Sequence, residues 1–221
     1  MKRQALDERL LRVSTEVSDG CHGDVGTDHG LLPLYLTRRG LCQKVIATEK
    51  SPTAFKVAKN ALWGSGVELR LGDGLEPFEE GELHSVSLCG MGGGLVADIL
   101  RAGPTKLPPR VVAQANRDSW RVRQWAFRSG YHLLREQLIP GRWVYEVLTF
   151  QQLPGADPAY TDIPMELGLY FGPHLLRAQN KDLATELRRR AEFLAPHPRS
   201  TELQRVRQAL DFAFGGGSST P

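Results

Sequence analysis

The chain has 221 residues, of which 41% are hydrophobic and 24% are charged, with a formal net charge of +3. This composition is typical of a globular protein with one good hydrophobic core and excludes a chain that is disordered throughout. No apolar run approaches the roughly 18 residues that span a bilayer, and the first residues lack the apolar core of a secretory signal, so we expect a cytoplasmic protein. The three cysteines have no CxxC spacing, which argues against a zinc site or a disulfide framework, and we expect no metal.

Short apolar runs alternate with helical patterns over the first 130 residues. An amphipathic helix is predicted near residues 3–18 and should pack against a sheet. Strand-like runs follow at 22–26, 44–49, 67–71, 84–89 and 110–115. The helical stretches between them fit right-handed βαβ crossovers, so the sequence predicts an α/β fold with a parallel, doubly wound, Rossmann-like sheet.

After a helix near 118–129 the pattern changes to two β-rich runs, "YHLLREQLIP" and "GRWVYEVLTFQQ", joined by a Pro-Gly turn signal. They predict an antiparallel hairpin. A parallel sheet that ends in such a hairpin is typical of S-adenosylmethionine methyltransferases and unusual in dinucleotide dehydrogenases, although this is an analogy between folds.

Three parts of the chain and a linker between the first two are expected. Residues 1–155 should form the S-adenosylmethionine-binding domain, and residues 152–165, rich in Pro, Gly and Asp, should form a linker. Residues 166–214 should form a small C-terminal helical extension, with amphipathic patterns over 171–195 and 200–214. The glycine-rich residues 215–221 should be a disordered tail.

The glycine-rich turn "GDVGTDHG" after the first predicted strand is a candidate cofactor site, because ligands of doubly wound sheets bind at the carboxyl ends of the strands. Gly26 and its neighbours let the backbone approach a ligand. Asp24 and Asp28 would repel a pyrophosphate and favour the ammonium and sulfonium groups of S-adenosylmethionine. The alternative is a structural turn in which Asp28 caps a helix.

Two further acids follow neighbouring strands. Glu49 ends the second strand, about 20 residues on, where a carboxylate usually binds the ribose hydroxyls. Asp73, in "GDGL", follows the third strand and is expected to accept a hydrogen bond from the exocyclic amine of adenine. Either acid alone is more often a capping or loop residue, but three acids at successive strand ends predict one cofactor site.

The fourth strand ends in "LCGMGGGL", residues 88–95. Gly90 and Met91 are therefore expected beside the cofactor, and the glycines at 90, 92, 93 and 94 are expected to form a bare wall that admits a flat base. The alternative is a tight strand-to-helix turn.

Positive charge is concentrated in residues 101–145, which hold nine Arg or Lys residues against two acids. Aromatic residues are interleaved with them, a mixture that suits phosphates and unstacked bases. A solvated helix face is the alternative. The residues expected to contact RNA are Arg117, Trp120, Arg121, Arg123, Trp143 and Tyr145.

Several motifs together resemble the bacterial tRNA adenine-22 N1-methyltransferase family from about residue 5 to 180: "DVGTDHGLLPLYL", "TEKSPTAF", "GDGL", "LCGMGGGLVADIL", "QANRDSW" and "GRWVYEVL". The resemblance implies a class I methyltransferase domain with a C-terminal helical extension. It also implies S-adenosylmethionine as the donor and N1 of adenine in tRNA as the acceptor. We further expect a monomer.

Methylation at adenine N1 needs neither a covalent nucleophile nor a metal, because the ring nitrogen carries an in-plane lone pair. Asp28 is expected to stabilise the cationic product ring and Asn116 to bind the adenine edge. Tyr145 or Trp143 could stack on the base or belong to the core. His29 is expected to fix the turn, since no proton has to be removed. Two other hypotheses remain open, a catalytically silent RNA-binding relative and a nicotinamide-dependent oxidoreductase.

Overall fold

A computed structural model describes residues 6–141 and 144–215 of the chain. The strands of the described residues are β1 (Cys21–Val25), β2 (Lys44–Glu49), β3 (Glu68–Leu71), β4 (Ser85–Met91), β5 (Arg110–Ala115), β6 (Tyr131–Ile139) and β7 (Tyr145–Gln152). The helices are α1 (Glu8–Ser14), α2 (Leu31–Arg39), α3 (Pro52–Ala61), α4 (Gly93–Ala102), α5 (Ser119–Arg128), α6 (Met165–Phe171), α7 (Pro173–Arg177), α8 (Lys181–Leu194) and α9 (Thr201–Phe214). No helix in these ranges is both long and apolar enough to span a bilayer.

The strands form one seven-stranded sheet in the order β3-β2-β1-β4-β5-β7-β6. The first five strands are parallel, and β7 runs antiparallel between β5 and β6. This arrangement confirms the predicted doubly wound sheet with a C-terminal antiparallel hairpin. The winding direction reverses between β1 and β4, which are neighbours, and such a reversal leaves a crevice at the carboxyl ends of the two strands.

Helices cover both faces of the sheet, as the apolar pattern of the strands requires. Adjacent residues of β5 show this, because Val111 belongs to the core on one face and Val112 to the core on the other. The predicted start of α3 is confirmed, since the Ser51 side chain accepts a hydrogen bond from the amide of Ala54 and Pro52 is the first helical residue.

The C-terminal region differs from the prediction. The pattern over 171–195 is not one helix, because Gly172 (φ 90°) separates α6 from α7 and Asn180 caps a new helix, α8. Residues 152–165 are not an open linker either, since Ala159, Tyr160 and Ile163 are buried. The helix predicted near 3–18 is shorter than expected and spans Glu8–Ser14, with residues 1–5 outside the described residues. The expected tail lies, apart from Gly215, outside the described residues as well.

Candidate active site

An open cavity of about 190 Å3 lies at the carboxyl ends of β1, β4 and β5. Its walls come from α1, the β1–α2 turn and the ends of β4 and β5, which is the crevice that the strand order creates. The lining residues include Asp24, Gly26, Thr27, Asp28, Gly90 and Gln114.

Asp24 is the most buried acid of this cavity, with 4% of its surface exposed. One carboxylate oxygen, Oδ1, accepts a hydrogen bond of 2.7 Å from the Ser87 hydroxyl. Burial raises the pKa of Asp24 to about 6, hydrogen bonding to Ser87 and Thr27 opposes that shift, and repulsion from Glu49 adds to it. Asp24 is therefore a buried carboxylate that is ionised above about pH 6 and favours a cationic ligand.

The β1–α2 turn brings Asp28 and Glu49 together. Asp28 adopts a left-handed backbone conformation (φ 51°), and its amide donates to Oε2 of Glu49 at 3.2 Å. The other oxygen of Glu49 accepts from the amide of Ser51 at 2.9 Å. The Asp28 side chain is exposed and contacts Nδ1 of His29 at 2.7 Å. Glu49 thus links the turn to the start of α3, and His29 lies against Asp28.

Asp73 lies beside a neighbouring cavity of about 350 Å3 between α4 and the loop after β3, lined also by Leu95 and Ile99. Its carboxylate is paired with Nζ of Lys50 at 3.0 Å. Lys50, which follows Glu49 directly in the chain, lines this second cavity together with Asp73. Glu49 contacts the turn after β1 through the amide of Asp28 but is not among the lining residues of either cavity.

Gly90 is held by two amide side chains at the end of β4. It has a φ of 75°, in the region that favours glycine, and its amide donates to Oε1 of Gln114 at 3.1 Å. Its carbonyl accepts from Nδ2 of Asn116 at 2.6 Å, and Nε2 of Gln114 donates to Oδ1 of Asn116 at 3.2 Å. The Asn116 amide therefore already has partners, and its first structural role is to fix Gly90.

The expected glycine wall is only partly correct. Gly90 lines the cavity, but Gly93 is buried, and a methyl group on it would collide with the backbone carbonyl of Asp118. Gly92 and Gly94 lie beside arginine side chains rather than in the cavity wall described here. Glycine at 93 is thus required by the close approach of α4 to the loop before α5. Met91 packs against the turn at Gly26.

Helix α1 closes one side of the cavity, which the sequence reasoning did not anticipate. Arg9 donates to Oε1 of Gln114 at 3.4 Å, pairs with Asp7 at 2.6 Å and lies 4.7 Å from the ring centre of Tyr145. Leu10 completes this side. Tyr145 is half-buried, and the Arg9 guanidinium already lies over its ring.

Arg117 and Arg121 are exposed near the N-terminal end of α4. Trp120 is half-buried, and its ring stacks on Tyr170 of α6 with the centroids 5.0 Å apart. The Arg121 guanidinium lies 4.5 Å from the Trp120 ring. Trp120 therefore joins α5 to α6. Among the predicted RNA contacts in the described residues, Arg117 and Arg121 are the ones whose side chains are exposed.

The prediction that Arg123 contacts RNA is wrong. Arg123 is fully buried, and its guanidinium pairs with Glu136 at 2.6 Å and with Glu146. It also donates to the carbonyl oxygen of Leu169 in α6. A phosphate cannot reach a side chain enclosed in this way. Trp143, another predicted RNA contact, lies outside the described residues.

No group of three potential metal ligands occurs within residues 6–141 and 144–215.

The family model for tRNA (adenine(22)-N(1))-methyltransferase matches residues 22–210. A curated protein of that name from Bacillus subtilis is 33% identical over 189 residues, which cover 81% of this chain and 79% of the relative. The crystal structure of the B. subtilis m1A22 tRNA methyltransferase TrmK has a TM-score of 0.80 and 29% identity, covering 94% of this chain and 95% of that chain.

The Streptococcus pneumoniae protein Sp1610, solved in complex with S-adenosyl-L-methionine, has a TM-score of 0.81 and 26% identity, covering 93% of this chain and all of that chain (100%). The strand order, the acids Asp24 and Asp28 that line the cavity after β1, and these matches agree with one another. The resemblance stated from the motifs is confirmed: the chain belongs to the tRNA (adenine(22)-N(1))-methyltransferase family.

Proposed function

We propose that this protein transfers a methyl group from S-adenosylmethionine to N1 of adenine 22 in tRNA. Its family membership and the S-adenosylmethionine complex of a structural relative support this proposal. The observation that carries it is the cavity at the β1–β4 reversal, where buried Asp24 and exposed Asp28 meet glycine backbone. Because the substrate is tRNA, we place the protein in the cytoplasm, and we propose that it acts as a monomer.

The residues of the cavity fit such a cofactor. The cavity is lined by the buried carboxylate of Asp24 and by backbone at Gly26 and Gly90, both of which have a positive φ that favours glycine. A buried negative charge beside bare backbone fits a cationic ligand that approaches the main chain closely. When bound, the cofactor supplies an electrophilic methyl group. Asp24 would hold its ammonium, Glu49 its ribose hydroxyls and Asp73 its exocyclic amine.

Gly26 and Gly90 would let backbone atoms approach the cofactor, with Met91 supporting the turn at Gly26. Asp28 would stabilise the positive charge of the methylated ring, because its carboxylate reaches the open side of the cavity. Asn116 holds Gly90 through one N–H and keeps a second N–H with which it could bind the adenine edge.

The RNA surface that we propose consists of exposed Arg117 and Arg121, supported by Trp120, with Tyr145 beside Arg9 of α1. Trp143, which lies outside the described residues, is proposed as a further RNA contact from the sequence alone. The helical extension over residues 166–214 would continue this surface, since Tyr170 stacks on Trp120 and carries Arg205 at 4.3 Å from its ring. Cationic side chains near aromatic rings suit phosphates and unstacked bases.

The chemistry is tested by incubating the protein with methyl-labelled S-adenosylmethionine and tRNA and analysing the labelled nucleosides. We expect 1-methyladenosine, which mild alkali rearranges to the N6-methyl isomer. Label that is in N6-methyladenosine before the alkali treatment, or label in another base, would contradict the proposal. An Asp24→Asn variant is the matched control and should transfer little label, because it lacks the buried negative charge.

A further inference from the structure

A chain of buried polar side chains lies behind Asp24, away from the cavity. His22, Ser85 and Ser87 are all fully buried in β1 and β4. Nε2 of His22 lies 3.0 Å from the Ser87 hydroxyl, and Nδ1 lies 2.8 Å from the Ser85 hydroxyl. The Ser87 hydroxyl in turn contacts Asp24. Neither His22 nor either serine has a part in the chemistry proposed above.

The direction of each hydrogen bond in this series of side chains follows from the groups at its two ends, the Asp24 carboxylate and the amide of Ser18. An ionised carboxylate can only accept, so the Ser87 hydroxyl donates to Oδ1 of Asp24 and its oxygen accepts from Nε2–H of His22. Nδ1 of His22 then carries no proton and accepts from the Ser85 hydroxyl. The Ser85 oxygen accepts from the amide of Ser18 at 3.2 Å, which closes the chain.

Burial keeps the imidazole neutral, because it lowers the pKa of His22 to about 3. The neutral ring has to donate to the Ser87 oxygen and accept from the Ser85 hydroxyl. Only the tautomer with its proton on Nε2 does both. His22 is therefore a fixed donor, and the single proton of Ser87 is committed to Asp24 rather than to the more distant carbonyl of Gly23 at 3.5 Å.

We propose that His22 and Ser87 are positioning residues that hold the Asp24 carboxylate oriented and ionised for a cationic ligand. This inference rests on the proposed function. Ser87 holds Oδ1 of Asp24 in place, and His22 prevents the Ser87 hydroxyl from turning away. The arrangement opposes the effect of burial, which favours the neutral acid.

The charged and titratable groups around Asp24 come from several elements. Glu49 at the end of β2 raises the pKa of Asp24, and Cys89 of β4 lines the same cavity. Asp28 and His29 of the β1–α2 turn, the α1 N-cap Asp7 and Arg9 of α1 also line this cavity. Variants of Ser87 leave all of these groups in place, so a change in the titration of Asp24 reports on the hydrogen bond.

The test compares Ser87→Ala with Ser85→Ala. Both changes remove a fully buried hydroxyl from β4 and one hydrogen bond to His22, but only Ser87 contacts Asp24. Calorimetry would measure the affinity for S-adenosylhomocysteine between pH 5 and 8.5. We expect Ser87→Ala to lose about tenfold in affinity at pH 7.5, as is typical for a hydrogen bond to a charged group. Ser85→Ala should bind like the wild type once its folding is checked by thermal unfolding.

The pH profile separates positioning from general damage to the fold. Affinity of the wild type should fall as the pH drops through about 6, where Asp24 takes up a proton. In Ser87→Ala this midpoint should rise by about one pH unit, and in Ser85→Ala it should stay. Equal losses in both variants with unchanged midpoints would overturn the inference.

A titration of the Asp24 carboxyl carbon by NMR, on protein without cofactor, decides the inference independently. A higher Asp24 pKa in Ser87→Ala than in Ser85→Ala supports it, and equal values overturn it. If the wild type does not bind S-adenosylhomocysteine, the proposed function fails while this titration still applies. Should Ser87→Ala not fold, Ser87→Cys keeps the shape with a weaker donor and must raise the Asp24 pKa in the same direction.

Discussion

Replacing Arg123 by methionine should destabilise the fold strongly, because Arg123 neutralises two glutamates in the interior. Its side chain and that of Glu136 are completely buried, whereas the Glu146 side chain is 22% exposed and can reach water. Removing one partner of a buried ion pair typically costs about 3–5 kcal/mol, since the other charge stays buried and unpaired. For a chain of this size, about 4 kcal/mol corresponds to a fall in Tm of about 12 °C.

The pH dependence of this loss has a definite sign. Burial raises the pKa of Glu136 in the folded state, and Arg123 opposes that rise. In the Arg123→Met variant the folded protein therefore binds a proton on Glu136 more tightly than the unfolded chain does. The penalty is small below the unfolded pKa and grows as the pH rises, so the deficit against wild type should be larger at pH 8 than at pH 5.

Thermal unfolding at the two pH values measures the effect. Arg121→Met is the matched control, because Arg121 is exposed on the same helix and should change the stability by less than about 0.5 kcal/mol. Adding Glu136→Gln to Arg123→Met should recover much of the loss, since no buried charge is then unpaired. Wild-type stability of Arg123→Met at pH 8 would refute the assignment of a buried ion pair.

Three further outcomes are expected. Glu49→Ala should weaken S-adenosylhomocysteine binding by about 10-fold to 100-fold in calorimetry and should also lower the Tm, because the amides of Asp28 and Ser51 lose their acceptor; unchanged affinity would show that the ribose assignment is wrong. Replacing Arg117 and Arg121 by alanine should weaken tRNA binding and reduce the slope of log binding constant against log salt concentration by about 1.5. An unchanged slope would show that the two arginines are solvated and do not contact phosphates. Gly93→Ala should lower the stability by about 1–3 kcal/mol, because its methyl group meets backbone, whereas Gly94→Ala should be tolerated; equal effects would contradict the close approach.

Local sequence patterns are sufficient to predict the strands of the sheet and part of the candidate site. Parallel strands end at one edge of a sheet, so the acids Asp24 and Glu49 could be placed together from their positions after two strand-like runs. Asp28 could be placed beside them because it lies in the same short turn as Asp24. Asp73 follows the same rule, but its pairing with Lys50 depends on a side-chain conformation that spacing does not reveal.

The remaining site residues come from long-range contacts. Arg9 reaches Gln114 across 105 positions in the chain, and nothing near either residue indicates the other. The burial of Arg123 did leave a signal, because it lies with Ser119, Val122 and Ala126 on one helical stripe at positions i, i+3, i+4 and i+7. The net charge of residues 101–145 does not reveal that stripe, and it places a buried arginine among the predicted RNA contacts.

The central claim is methylation of one ring nitrogen at one tRNA position, and primer extension tests it most directly. A methyl group on N1 blocks the pairing edge of adenine, so reverse transcriptase should stop one nucleotide before position 22 on a tRNA transcript treated with the protein and S-adenosylmethionine. A transcript with guanine at that position should accept no label and give no stop. Read-through on an efficiently methylated adenine-22 transcript, or robust methylation of the guanine-22 transcript, would contradict the account.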